Sequence, residues 1–188
     1  TSGFYELDSF TQGFQKSDLI IIAGRPSMGK TALSLNIGLN IVKDLKIPVI
    51  FFSLEMSKEQ LVYRLLTQET KINSNRLKTG NLYQDDWLKL NPIIQNLAAL
   101  PLFIDDTPNP SIQDIRAKIK KIIFEQMQIG LIIIDYLQLM QNSQVPSSNR
   151  TQELSQITRS LKNLAREFEI PVIALSQLSR SVENRTNK

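Results

Sequence analysis

In Gly24-Arg25-Pro26-Ser27-Met28-Gly29-Lys30-Thr31, two glycines enclose four residues and a lysine and a threonine follow. This is the phosphate-loop spacing. The glycines let the backbone wrap a phosphate and turn its amides inward. Lys30 supplies a point charge to the β- and γ-phosphates, and the Thr31 hydroxyl supplies an oxygen to Mg²⁺. A short apolar strand runs into the loop and an apolar helix, expected over residues 31–43, leaves it. Loop amides and helix N-terminus then face one anion. Spacing and context together predict that residues 24–31 bind a nucleotide together with Mg²⁺.

A metal ion on nucleotide phosphates calls for a carboxylate from beyond the loop. The run Gly130-Leu131-Ile132-Ile133-Ile134-Asp135 ends on one. Asp135 is expected to hold Mg²⁺ through water. Tyr136 follows it, so a base that polarises the attacking water has to come from another strand end. The candidates are Glu55, two residues past the run Val49–Ser53, and the pair Asp105/Asp106. Glu55 is favoured because a glutamate reaches farther, and because its strand is expected to adjoin the phosphate-loop strand. Gln177, at the end of the last apolar run, is either a sensor of the γ-phosphate or a plain surface glutamine.

The elements that must position these residues follow from the pattern of apolar runs. Residues 19–23, Val49–Ser53, Leu102–Asp105, Leu131–Asp135 and 172–176 read as buried strands. Ile112, Ile115, Ile119, Ile122 and Ile123 fall on one helical face, and Leu154, Ile157, Leu161, Leu164 and Phe168 on another. Ser57 with Gln60, Ser111 with Asp114, and Asn149 with Gln152 mark helix starts. Gly130 is expected to terminate the helix before residues 131–135. The alternation predicts an α/β fold: a largely parallel twisted sheet with helices on both faces and right-handed crossovers. The polar stretch 141–149 follows a strand end, where open sheets of this kind place their sites, and is expected to be a surface loop.

The chain has 188 residues, with 22 Lys+Arg against 18 Asp+Glu and neither Cys nor His. These figures suit one domain and exclude a disulfide scaffold, a thiolate zinc site and any histidine base. The longest apolar runs fall far below the ~20 residues that span a bilayer, so no membrane role is expected. The net charge of +4 suits a partner that carries phosphates but is mild. The chain begins at Thr1 with no targeting pattern. It is expected to be a piece of something longer.

These residues resemble the RecA-like motor domain of DnaB-type replicative DNA helicases, a phosphate-loop NTPase fold. The likeness runs nearly end to end. It covers Ser2-Gly3-Phe4 with Leu7-Asp8, the phosphate loop, Ser53-Leu54-Glu55-Met56-Ser57, Asp135-Tyr136-Leu137-Gln138-Leu139-Met140, Asn149-Arg150 with Glu153, and Ala174-Leu175-Ser176-Gln177-Leu178-Ser179-Arg180. The loop alone is weakly specific for this family, whereas the Leu-Glu-Met-Ser and Asp-Tyr-Leu-Gln-Leu-Met segments are highly so.

By the resemblance Glu55 is the catalytic glutamate, Asp135 the Mg²⁺ carboxylate, and Gln177 the residue coupling the γ-phosphate to loops that face DNA. The resemblance also implies a homo-hexameric ring with ATP at its subunit interfaces. Such a ring encircles one DNA strand, moves along it five-prime to three-prime, unwinds duplex, and meets primase and a helicase loader. Residues 1–188 stop before the family's main single-strand-binding loop and its arginine-finger hairpin, and lack its primase-binding domain. They are expected to be roughly the first two-thirds of a motor domain, able to bind ATP but poor at hydrolysing it alone.

The loop 141–149 with Arg150, and the tail from Arg180 through Arg185 to Lys188, are candidate contacts to single-stranded DNA. A disordered loop and a frayed end are the plainer alternatives. Arg116, Lys118, Lys120 and Lys121 read as a solvated helix face. The rival functions are another RecA-like DNA-dependent ATPase, a small-molecule phosphotransferase, and a nucleotide-gated oligomerisation module without turnover. An Ile- and Asn-rich composition with Lys above Arg suggests AT-rich coding, hence a bacterial cytoplasm or a plastid stroma.

Overall fold

The apolar runs fold into five parallel strands, β1 (Leu19–Gly24), β2 (Val49–Ser53), β3 (Leu102–Asp105), β4 (Leu131–Asp135) and β5 (Val172–Gln177), in a computed structural model that describes residues 1–126, 128–140 and 150–178. Their order across the sheet is β1-β5-β4-β2-β3. Every residue of β2 and β4 is buried. Alternate side chains enter opposite cores, so the period of two is hidden in an unbroken apolar sequence. Ile50, Phe52, Ile132, Ile134, Val172 and Ala174 face one way, against α6 (Ile112–Gln126) and α7 (Arg150–Phe168). Val49, Phe51, Leu131, Ile133, Ile173 and Leu175 face the other, against α2 (Lys30–Asn40) and α3 (Lys58–Thr70).

The expected α/β architecture is therefore present, with two differences in arrangement. First, β2 does not adjoin β1, because β5 and β4 lie between them. The crossover through α2 passes over the sheet instead of returning beside its own strand. Gly38 permits that passage, since a Cβ there would sit 3.2 Å from Ile133 Cδ1 and 3.5 Å from Val49 Cγ1. Second, β1 and β3 are edge strands in this sheet and are only partly buried; Ile21 is 44 % exposed.

The helix expected over 31–43 is α-helical to Asn40 and closes with a π-helical turn, Ile41–Leu45. The capping boxes at Ser57/Gln60 and Ser111/Asp114 form, while Asn149 lies outside the described residues. Gly130 does not cap α6, which ends at Gln126. It serves close packing, because a Cβ there would lie 2.5 Å from Ile47 Cγ2.

Three further helices were not placed from the sequence: α1 (Tyr5–Thr11), α4 (Ser74–Thr79) and α5 (Gln84–Ala98). With α3, α4 and α5 build a satellite core on Leu66, Ile72, Leu77 and Leu90. The N-terminal turn is anchored by Asp8, whose carboxylate accepts from the amides of Ser2 at 2.6 Å and Gly3 at 3.2 Å. Among the described residues no helix is long and apolar enough to cross a membrane.

Candidate active site

All five strands run the same way, so β1, β2, β4 and β5 deliver their last residues to one edge of the sheet. A cleft of about 710 Å³ opens there, lined by Pro26, Ser27, Gly29, Lys30, Thr31, Glu55, Met56, Gln60, Arg64, Asp135, Tyr136 and Gln177. Five of the eight loop residues line it. Gly24, Arg25 and Met28 do not: Gly24 packs beneath the methylenes of Lys30, and Met28 is 74 % exposed.

Local conformation explains the loop. Ser27 and Gly29 both have positive φ, 62° and 83°. At Gly29 a Cβ would meet nothing within 4 Å, so glycine serves the backbone angle there and not a tight fit. The next residue opens α2, which brings the free amides of its first turn to the loop. Lys30 Nζ donates to the carbonyls of Gly24 at 2.9 Å and Arg25 at 2.8 Å, which keeps its ammonium over the loop.

Thr31 donates its hydroxyl to Asp135 Oδ2 at 2.7 Å. Asp135 is 1 % exposed, and burial pushes its carboxyl above the usual carboxylate value. The Thr31 bond and the charges of Lys30 and Arg64 pull it back, and Glu55 adds to the rise. Thr31 and Asp135 offer two hard oxygens of the kind Mg²⁺ takes when nucleotide phosphates and water complete its shell. Among the described residues no group of three or more acidic side chains could form a metal cage by itself. The donor set fits a metal shared with phosphates.

Glu55 stands on the turn between β2 and α3, exposed to the cleft. Three bonds fix that turn: Leu54 N–H to the Asp135 carbonyl at 2.7 Å, Ser53 Oγ to the Met56 carbonyl at 2.7 Å, and Lys58 N–H to Asp106 Oδ2 at 2.9 Å. The competing carboxylates are engaged elsewhere and neither lines the cleft. Asp106 holds the start of α3. Asp105 pairs with Lys118 at 2.6 Å and accepts from Thr107 N–H at 3.0 Å. Partial burial raises the Asp105 carboxyl, but those bonds outweigh it and leave the group below its usual value. Lys118 is thus a partner of Asp105 and not a free surface charge.

Gln177 reaches the cleft from the end of β5. Arg150 opens α7, whereas Arg180, Arg185 and the loop 141–149 lie outside the described residues. Arg64 was not singled out from the sequence, and Gln60 was read only as the capping partner of Ser57 and not as a residue of the cleft. Their signal was there: Ser57, Gln60 and Arg64 are three and four apart and share one face of a helix whose start Ser57 marks.

A family model described as "DnaB-like helicase C terminal domain" matches residues 1–188. The chain belongs to that family. The "Probable replicative DNA helicase" of Trieres chinensis is 72 % identical over 188 residues, which are all of this DnaB-like chain and 41 % of that protein. The chain therefore spans about two-fifths of that relative's length. A solved structure described as an "ATPase Domain" superposes with a TM-score of 0.91 at 38 % identity, covering 99 % of this chain and 66 % of that one. "The Structure Of A DnaB-Like Replicative Helicase And Its Interactions With Primase" gives 0.91 at 37 % identity, with 100 % of this chain and 45 % of that one covered. The DnaB-like fold is thus RecA-like, as the sequence resemblance implied.

Proposed function

We propose that residues 1–188 form part of the ATP-hydrolysing motor of a replicative DNA helicase, in which ATP turnover drives translocation on single-stranded DNA and duplex unwinding. The observation that carries the reading is the convergence of Lys30, Thr31, Glu55, Asp135 and Gln177, from separate segments, on one cleft at the carboxyl edge of the sheet.

In this reading the amides of residues 24–31 and the Lys30 ammonium bind the β- and γ-phosphates. Thr31 and Asp135 would hold Mg²⁺, which neutralises charge on the phosphate oxygens when bound. The Thr31 proton is directed at Asp135, so its oxygen lone pairs remain for a cation. Glu55 orients the attacking water and accepts its proton. Gln177 senses the γ-phosphate and relays its presence along the end of β5.

The whole assembly is proposed on resemblance. Residues 1–188 are the larger part of a motor domain within a longer protein, consistent with the shares of the relative and of the solved ATPase domain that they cover. The full protein forms a homo-hexamer, with an arginine finger supplied by the neighbouring subunit, in a bacterial cytoplasm or plastid stroma. Arg150, Arg180 and Arg185, which follow the ends of β4 and β5 in sequence, contact the DNA backbone. A primase is a partner, as in the solved neighbour that describes interactions with one, and so is a helicase loader.

The test is ATP hydrolysis by the full-length protein with and without single-stranded DNA, beside Lys30→Ala and Glu55→Gln. DNA-stimulated turnover abolished by both substitutions is expected. DNA-independent turnover, or none, would overturn the reading in favour of a phosphotransferase or a nucleotide-gated module.

A further inference from the structure

The ladder between β4 and β5 ends at Ile134 and Ala174. On its other side β5 stays paired as far as Gly24 with Gln177, and Leu178 N–H donates to the Gly24 carbonyl at 3.1 Å. Past Ala174, then, β5 keeps its β1 neighbour and loses the β4 ladder. The side chain of Gln138 takes over there. Its Nε2 donates to Ser176 Oγ at 3.0 Å and to the Gln177 carbonyl at 3.0 Å, and its Oε1 accepts the Gln177 N–H at 3.3 Å.

A carboxamide carries a donor and an acceptor in one plane, so it reproduces the pair of bonds that a strand would make to a facing residue. Neither a carboxylate nor an apolar side chain of equal size can do this. The backbone of Gln177 is consequently held from two directions. On one side is Gly24, the first residue of the phosphate loop, whose carbonyl also accepts from Lys30. On the other is a residue three positions past Asp135.

We propose that Gln138 is a positioning residue: its amide clamps the backbone of Gln177, so that the Gln177 side chain stays in the cleft and its placement depends on the segment that leaves Asp135. The proposal rests on the reading of Gln177 as the γ-phosphate sensor. Gln138 itself does not line the cleft; it reaches the site through the end of β5, at Ser176 and Gln177. In sequence, the two segments joined by the clamp lead on to the candidate DNA contacts Arg150 and Arg180.

The experiment uses the full-length helicase with Gln138→Met, Gln138→Glu, Gln177→Ala and the Gln138→Met/Gln177→Ala pair. It reads DNA-stimulated kcat, affinity for a fluorescent ATP analogue, and Tm. Gln138→Met, which keeps the volume and removes these bonds to Ser176 and Gln177, is expected to lower kcat about tenfold, the equivalent of one net hydrogen bond, with nucleotide affinity unchanged. Gln138→Glu, which keeps an acceptor but sets a carboxylate against the Gln177 carbonyl, is expected to do no better. In the Gln177→Ala background the Gln138 substitution should cost nothing further.

Additive losses in the double variant would overturn the proposal while leaving the sensor role intact, and so would a wild-type kcat in Gln138→Met. Loss of kcat, affinity and Tm together in Gln138→Met would show a merely structural role and also overturn it. A Gln177→Ala protein with wild-type DNA-stimulated turnover would remove the sensor reading itself, and the proposal with it.

Discussion

Thr31 donates its hydroxyl to Asp135 at 2.7 Å across 104 residues of chain, joining the first turn of the helix that leaves the phosphate loop to the end of the central strand. The bond directs the hydroxyl proton at a carboxylate whose ionised form burial disfavours and this bond favours. Removing Asp135 from water disfavours its ionised form, so the site keeps a charged acceptor at some cost to stability.

That cost has a sign and a pH window. The folded protein binds the Asp135 proton more tightly than the unfolded chain does, because the folded value is raised above 3.8. The stabilisation from protonation is complete below that value and is lost as pH rises through the raised one. Asp135→Asn stays neutral and still accepts from Thr31. In the absence of nucleotide and Mg²⁺ it should therefore melt above wild type at pH 7, by roughly 2–4 °C for each kcal/mol recovered at this chain length. The difference should vanish near pH 3 while nucleotide turnover is lost. Thermal melts across that pH range check this, and a variant less stable than wild type at neutrality would contradict it.

Lys30→Ala should act on binding and not on folding. The lysine's two protein partners are carbonyls of the loop, Gly24 and Arg25, which water can serve in its place. Loss of the ammonium removes a charge-assisted bond to phosphate, expected to weaken nucleotide affinity about 10- to 100-fold. Titration with a fluorescent ATP analogue measures this, and Tm should move by no more than a few degrees.

Parts of this architecture were legible for physical reasons. β2, β3 and β4 begin and end where the sequence places them, because strands covered by helices must be apolar throughout. Pro48, Pro101 and Pro171 stand directly before β2, β3 and β5, where no ladder donor is needed. Glu55, Asp135 and Gln177 were legible as candidates because parallel strands bring their carboxyl ends to one edge; Asp105 and Asp106 reach the same edge at the end of β3 but stand outside the cleft. The strand order itself was not legible: a crossover helix must return the chain in parallel, but nothing local says how many strands it passes. Helix α5 was hidden by Pro92 in its interior and by Tyr83, Trp87 and Leu88, which blur its apolar face by being exposed. Arg64 was missed because a cation on a helix surface ordinarily reads as solvated.

Gly130→Ala tests the packing that sets β4 in register. The added methyl would overlap Ile47, 2.5 Å from Cγ2 and 3.2 Å from Cβ, just where Gly130 N–H donates to the Pro48 carbonyl at 2.8 Å. Overpacking of this kind costs about 1–3 kcal/mol. Denaturant unfolding should show a lower midpoint with unchanged slope. Ile47→Ala in the same protein should recover part of the loss, so that the two changes are not additive. Additivity would mean that the strain lies in the backbone and not in this contact.

The assignment of the base turns on which of three carboxylates touches the cleft. Glu55 faces it, Asp106 is held 2.9 Å from the Lys58 amide at the start of α3, and Asp105 is paired with Lys118. Replacing a positioned general base should lower kcat about 10²- to 10⁴-fold, so Glu55→Gln in the full-length protein is expected to fall in that range with nucleotide affinity retained. Asp106→Asn keeps an acceptor for the amide and should leave kcat within a few-fold of wild type. Asp105→Asn loses a partly exposed ion pair, expected to cost no more than about 1 kcal/mol of stability and little activity. Single-turnover hydrolysis by the three variants separates these outcomes. A collapse of kcat in Asp106→Asn, with Glu55→Gln still turning over, would reassign the base to the end of β3 and require the β2–α3 turn to move before chemistry.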